Sequence, residues 1–168
     1  MVASRNAAVT RVRTATDAPL TYGANWTDYR EVGFWDALDV IGIQAYFPLS
    51  EGPDPDRSDL EASWRRIMKE LRIYAGEMNR KIVFTELGYS RSHRAPVEPW
   101  AYCSDGPEAE PIQALTLRTA LEAVEREPAV VGVFLWKWFP NPHPVGRDFQ
   151  LATPAIRQVI TETWTGRS

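Results

Sequence analysis

The sequence has 168 residues, 44% of them hydrophobic and 24% charged, a balance that supports a buried core and excludes a disordered or fibrous chain. A net charge of −3 with scattered Lys and Arg residues gives no basic field for nucleic acid or an anionic membrane surface. Cys103 stands alone, so no intrachain disulfide is expected, no Cys/His spacing matches a zinc site, and no run reaches the roughly 18 apolar residues of a membrane span.

Residues 7–16 read as the tail of a short helix, without the apolar block of a signal peptide. Localisation therefore stays open between cytoplasmic and secreted. The extended run 20–26 reads as a strand ending in Asn25 and Trp26, and 34–38 as a helical turn. Residues 40–47 are rich in β-branched and aromatic side chains and are closed by Pro48, the pattern of a strand buried on both faces. Over 59–78 the apolar residues Leu60, Trp64, Ile67, Met68, Leu71, Tyr74 and Met78 recur at helical spacing, and Ser58 with Glu61 matches a capping box. Residues 82–85 form a further short apolar run. Glu86, Leu87 and Gly88 then open a long polar segment reaching about Pro111, and loops of that length inside a domain are functional or disordered. A helix over 112–126 stops before Pro128, an apolar strand covers 130–139, and a second long loop follows. Thr153 and Pro154 make an N-cap and first-turn pair for a last helix through Trp164.

The order amounts to four repeats of strand, loop and helix, the alternation that builds a parallel α/β sheet with helices outside. No linker or compositional break divides the chain, so 1–168 reads as a single domain. A complete (β/α)₈ barrel needs roughly 250 residues, which leaves room here for a partial (β/α)₈ TIM barrel.

In such barrels the reactive groups sit at the C-terminal strand ends, here Asn25-Trp26, Tyr46-Phe47, Glu86 and Trp136-Lys137-Trp138. Period-two alternation places Gln44 with Tyr46, Phe84 with Glu86, and Trp136 with Trp138 on common faces. If those faces point inward, a phenol, a carboxylate and indoles converge. The alternative for Glu86 is an ordinary strand-terminal carboxylate paired with a neighbour. Glu51, Asp54, Asp56, Glu98, Asp105 and Glu108 read as solvated loop charges, and His93 and His143, which lack partner spacing, as surface residues rather than ligands or bases. No phosphate loop, nucleophile elbow or metal-binding helix motif is present.

Four segments, LTYGANW, FWDALDVIGIQAYFPLS, IVFTELGYS with the later EPW, and GVFLWKWFP, resemble clan A glycoside hydrolases, and most closely glycoside hydrolase family 113, whose known members are β-mannanases. The resemblance covers roughly residues 19–164 and corresponds to strands five to eight, the C-terminal half barrel. It implies that Glu86 is the nucleophile of a retaining hydrolysis and that Tyr46 donates a hydrogen bond to it. Trp136, with Trp138 as second choice, is implied as the floor of the sugar site. Trp100, in the segment resembling the family's Pro-Trp pair, is a candidate either for lining a subsite or for pinning its own loop; Trp26 has the same two readings, with sugar stacking favoured by its strand-end position, and Asn25 beside it is a further binding candidate. The implied ligand is an oligo- or polysaccharide, with no cofactor and no metal.

A retaining mechanism also needs a second carboxyl roughly 5–5.5 Å away as general acid. In this clan it ends strand four, whereas this sequence opens in the helix expected to follow that strand, and its first Glu is Glu31. The isolated chain is therefore expected to lack the acid/base, a loss of about 10²- to 10⁴-fold in rate. Two other readings stand beside this one: a non-catalytic carbohydrate-binding half barrel, and a sequence that begins at an internal Met of a longer reading frame. A half barrel also exposes two sheet edges and an apolar face, which predicts self-association or pairing with a missing N-terminal half barrel.

Overall fold

In the computed structural model, which describes residues 2–139 and 149–165, the chain runs α1 (Val2–Arg13), β1 (Gly23–Asn25), β2 (Ile41–Gln44), α2 (Arg57–Glu77), β3 (Ile82–Leu87), α3 (Glu110–Arg126), β4 (Val130–Leu135) and α4 (Pro154–Thr165). The strands pair in parallel in chain order, β1-β2-β3-β4. Helical crossovers impose this arrangement, since parallel neighbours cannot be joined by a hairpin. Among the described residues no helix is long and apolar enough to cross a membrane.

The four-unit expectation needs one correction. Between β1 and β2 the chain makes two 3₁₀ turns, Trp35–Ala37 within the helical turn expected over 34–38 and Tyr29–Glu31 outside it, so the first unit holds no α-helix. Its apolar residues Tyr29, Val32, Phe34, Trp35 and Leu38 are all buried but follow no continuous helical stripe, and the Trp35 indole N–H donates to the Tyr29 carbonyl at 2.9 Å. β4 is also shorter than the run 130–139 suggests, ending at Leu135.

The helix over 59–78 begins two residues earlier, at Arg57, because Asp56 is its N-cap. The Asp56 carboxylate accepts from the Asp59 amide at 3.0 Å and from the Ser58 hydroxyl at 2.7 Å. Ser58 thus supports the cap instead of forming the expected capping box with Glu61, whose carboxylate is engaged by Arg57 at 2.7 Å. The apolar stripe behaves as its spacing predicts: Leu60, Trp64, Ile67, Met68, Leu71 and Tyr74 are buried. Trp64 meets Phe84 and Phe47 with ring centroids 6.2 Å away in each case, so the sheet-helix core runs from the end of β2 to the middle of β3. Burial of each large side chain stabilises the fold by roughly 1.5–3 kcal/mol relative to exposure.

The opposite sheet face is concave and only partly covered. A Cβ placed on Gly23 would stand 3.3 Å from the Thr85 hydroxyl, two strands away, and one on Gly42 would meet the Thr85 methyl at 3.0 Å. Along β3, however, strict alternation fails. Ile43 pairs with Phe84, but its successor Gln44 pairs with Glu86, so one step on β2 opposes two on β3. This bulge leaves Phe84 buried beneath α2 and turns both Thr85 and Glu86 to the concave side, where they are half-buried. Phe84 and Glu86 therefore occupy opposite faces, against the period-two expectation. On β4, Val131 and Phe134 are 61% and 66% exposed, so this edge strand is not covered on both faces as its apolar run suggests.

Candidate active site

The C-terminal ends of β2 and β3 are stitched together past the last ladder pair, the Ala45 amide donating to the Glu86 carbonyl at 2.8 Å. One row of the sheet, Asn25 to Gln44 to Glu86, crosses three strands at this level. From that row the Glu86 side chain engages two donors. The Gln44 amide nitrogen donates to Oε1 at 2.7 Å, and the Tyr46 hydroxyl donates to Oε2 at 2.7 Å. Both donors are neutral, so each oxygen is oriented without a cation against it.

Burial, and then the hydrogen bond to Glu86 and its charge, push the Tyr46 phenol far above its ordinary value of 10.0. It stays protonated, and a donor, at any working pH. The Tyr46 ring meets Phe149 edge-on at 6.0 Å, and Phe149 in turn meets Tyr102 at 5.4 Å. Phe149 from the connection after β4, itself backed by Tyr102 from the connection after β3, thus braces the phenol.

Trp136 follows directly on β4, where its amide donates to the Leu87 carbonyl at 2.8 Å. That closeness requires glycine at position 88: a Cβ there would lie 1.7 Å from the Trp136 carbonyl oxygen. The Trp136 ring is half-buried, with the Lys137 ammonium 5.2 Å from its centroid.

The remaining candidate indoles are disposed differently. Trp138 is 44% exposed and packs against α4, with the Arg157 guanidinium 4.7 Å from its ring. Trp26 and Trp100 stack on each other at 5.6 Å and 19°, and Trp26 also meets Phe47 at 6.0 Å. Asn25 is exposed, and its side chain accepts from the Thr27 amide at 3.3 Å. The structure accordingly brings Asn25, Gln44, Tyr46, Glu86 and Trp136 to one end of the sheet and forms a separate Trp26–Trp100 pair. Sequence reasoning gave no role to Gln44, although its i−2 spacing from Tyr46 was the available signal. Phe149 and Tyr102 carried no such signal, because loop closure brings them in.

The loop acids lie at the surface, as expected, and several are paired there. Asp54 lies 2.6 Å from the His93 ring, Glu98 accepts from Arg94 at 3.1 Å, and Asp105 accepts from the Ser92 hydroxyl at 2.7 Å and the His93 amide at 2.8 Å. His93 pairs with Asp54 at the surface, and this hydrogen bond raises its pKa above the ordinary 6.5. The bonds from Ser92 and the His93 amide hold Asp105 below the usual carboxylate value. These contacts order the loops after β2 and β3. His143 lies outside the described residues. Among the described residues no cluster of three or more His, Cys, Asp or Glu is placed to hold a metal ion.

A parallel sheet backed by helices, with a doubly bonded carboxylate at its C-terminal edge, is a partial (β/α)₈ barrel with its candidate site where such barrels carry chemistry. The chain belongs to Glycoside Hydrolase Family 113, whose family profile matches residues 3–146. Among solved structures it is similar to a β-mannanase of that family from Alicyclobacillus acidocaldarius in complex with ManMIm, with 26% identity and a TM-score of 0.78 over 97% of this chain and 50% of the other. A second β-1,4-mannanase of the family matches with 19% identity and a TM-score of 0.78, covering 96% of this chain and 50% of that one. A β-glucuronidase from Ruminococcus gnavus in complex with uronic deoxynojirimycin shares the fold at 16% identity and a TM-score of 0.61, over 92% and 28% of the two chains. The chain spans about half the length of the solved mannanases it matches. No curated protein matches it.

Proposed function

We propose that this chain supplies the nucleophile half of a retaining β-mannan hydrolase, with Glu86 as nucleophile and Tyr46 as its hydrogen-bond donor. The observation that carries the reading is the Glu86 carboxylate, bonded on both oxygens at 2.7 Å at the end of β3. A nucleophile must be ionised and fixed in direction. Two neutral donors fix its direction without setting a cation against it. Trp136, tied to the same strand end by its amide, would offer an apolar floor to the sugar, and Asn25 a polar edge. The mannan class follows the solved relatives, which are β-mannanases.

In the first step a Glu86 oxygen bonds to the anomeric carbon as the glycosidic oxygen departs with a proton. In the second, water attacks that carbon and Glu86 leaves as carboxylate. The proton donor is a second carboxyl, assigned by the resemblance to the end of strand four in a complete barrel. The reading is tested with an aryl β-mannoside carrying a dinitrophenolate leaving group, which departs without protonation. Glu86→Gly should abolish turnover, and added azide should restore it with formation of the inverted α-mannosyl azide. Retained β-azide, or normal hydrolysis by Glu86→Gly, would show that another group attacks.

The stacked Trp26–Trp100 pair, with Trp100 45% exposed, favours a second reading: a carbohydrate-binding half barrel without turnover. Calorimetry that detects mannooligosaccharide binding, together with no adduct at Glu86, would select it.

A further inference from the structure

We infer that Gln44 is a positioning residue that governs the second half of the reaction by holding the Glu86 oxygen that never bonds to the sugar. The inference rests on the reading of Glu86 as nucleophile. Its geometric basis is the division of the carboxylate between two donors at different heights. Gln44 is the last residue of β2 and belongs to the ladder row that pairs it with Glu86. Tyr46 lies two residues further along the chain, past the strand end and toward the mouth. Oε1 is held by Gln44, whose backbone belongs to the sheet, and Oε2 by Tyr46, whose backbone lies past the strand end, and on that division the sugar is assigned to Oε2.

Attack through Oε2 forms the Oε2–C1 bond as the bond from C1 to the leaving oxygen breaks. That oxygen takes a proton from a carboxylic acid, or leaves unprotonated when it is a dinitrophenolate. Oε1 then becomes the carbonyl oxygen of the glycosyl ester. In the second step a water oxygen bonds to C1 and its proton passes to a carboxylate base. The C1–Oε2 bond breaks, and its electron pair returns to the carboxylate, so that negative charge builds on Oε1. A fixed N–H aimed at an atom that gains charge in the transition state lowers that barrier. In the first step charge is drawn away from Oε1, and the same hydrogen bond gives no such help. Gln44 therefore discriminates between the two steps, which a purely structural side chain would not do.

The experiment follows both steps on the full chain with a dinitrophenyl β-mannoside, reading the release of dinitrophenolate for the first and the lifetime of the Glu86 adduct, by intact-protein mass spectrometry, for the second. Gln44→Met keeps the volume and removes the donor; Gln44→Asn keeps the amide but draws it back by one methylene. A bond to a charged group has a value that corresponds to roughly a 10- to 100-fold rate change. Both variants should prolong the adduct by about that factor and slow its formation distinctly less, since the first step loses only the orientation of the carboxylate. Should Gln44→Met fail to fold, Gln44→Asn carries the comparison alone. Equal slowing of both steps, or an unchanged adduct lifetime in a variant that still forms the adduct, overturns the role of Gln44 alone. A wild-type chain that forms no adduct at Glu86 overturns the nucleophile reading and this inference with it.

Discussion

At the scale of single residues, the Tyr46 hydroxyl bonded to Glu86 at 2.7 Å is the contact most open to substitution. Tyr46→Phe removes one charge-assisted bond and little packing, because the ring keeps its edge-on contact with Phe149. We predict a roughly 10- to 100-fold loss in kcat/KM with a melting temperature close to that of the wild type, measured by steady-state kinetics and calorimetry; an unchanged kcat/KM would deny the phenol its role. Glu86 and Tyr46 were legible in the sequence because a carboxylate and a phenol each end an apolar run, and strand ends are where barrels place reactive groups. The face of Glu86 was not legible. It depends on a bulge between Phe84 and Glu86 that no local residue signals, and strict alternation would have buried the carboxylate beneath α2. Trp138 was misleading for a different reason: its partner, Arg157, arrives from α4, some twenty residues further along the chain.

At the scale of elements, the connections decide which strand ends can meet. Gly88 lets β3 pass against the Trp136 backbone, and Gly88→Ala would put a methyl carbon 1.7 Å from a carbonyl oxygen. We predict a loss of about 3 kcal/mol and a displaced Trp136, read by urea denaturation and indole fluorescence; stability within 0.5 kcal/mol of wild type, about the effect of a neutral surface change, would contradict the contact. At the opposite end of the sheet, Glu127 is 3% exposed. It receives Arg72 at 2.6 Å and the Ala129 amide at 3.0 Å, linking α2 to the start of β4. Burial alone would raise the Glu127 pKa, but the Arg72 bonds, the Ala129 amide and the Arg72 and Lys81 charges outweigh it, and the net shift is below the ordinary 4.5. A folded value below the unfolded one means that the stabilisation is complete above about pH 4.5 and fades as pH falls through the folded value. Arg72→Met should lower stability at pH 7, since it leaves the Glu127 carboxylate with fewer partners, and the gap to wild type should narrow in urea titrations below about pH 4; a constant gap would show that Glu127 does not titrate against Arg72. Helix α2 was legible to within two residues because its stripe is regular. Its true cap was missed because Asp56 sits just outside the periodic stretch and competes with Ser58 for the same role. The 3₁₀ turn at Tyr29–Glu31 was likewise missed, since the burial of Tyr29 is set by packing and not by a local period; the one at Trp35–Ala37 falls within the turn read over 34–38.

At the scale of the whole molecule, four parallel strands end in two edges, β1 and β4, with Val131 and Phe134 largely exposed on the latter. An apolar strand edge of this kind invites further pairing. We predict concentration-dependent association in sedimentation velocity, reduced by Phe134→Lys; a monomer at all concentrations would contradict it. The parallel α/β class and the partial barrel were legible from strand-helix alternation and length. The surroundings of Glu86 were not, because they are made by long loops whose course depends on contacts such as His93 with Asp54 and Phe149 with Tyr46. The claim on which the functional account turns is that a sugar bonds covalently to one carboxylate. Incubation of the chain with a 2-deoxy-2-fluoro-β-mannosyl fluoride, then proteolysis and mass spectrometry, tests it most directly. The account predicts one added fluoromannosyl group on the peptide containing Glu86 and none on Glu86→Gln. Label on a different residue, or on Glu86→Gln as readily as on the wild type, would contradict it.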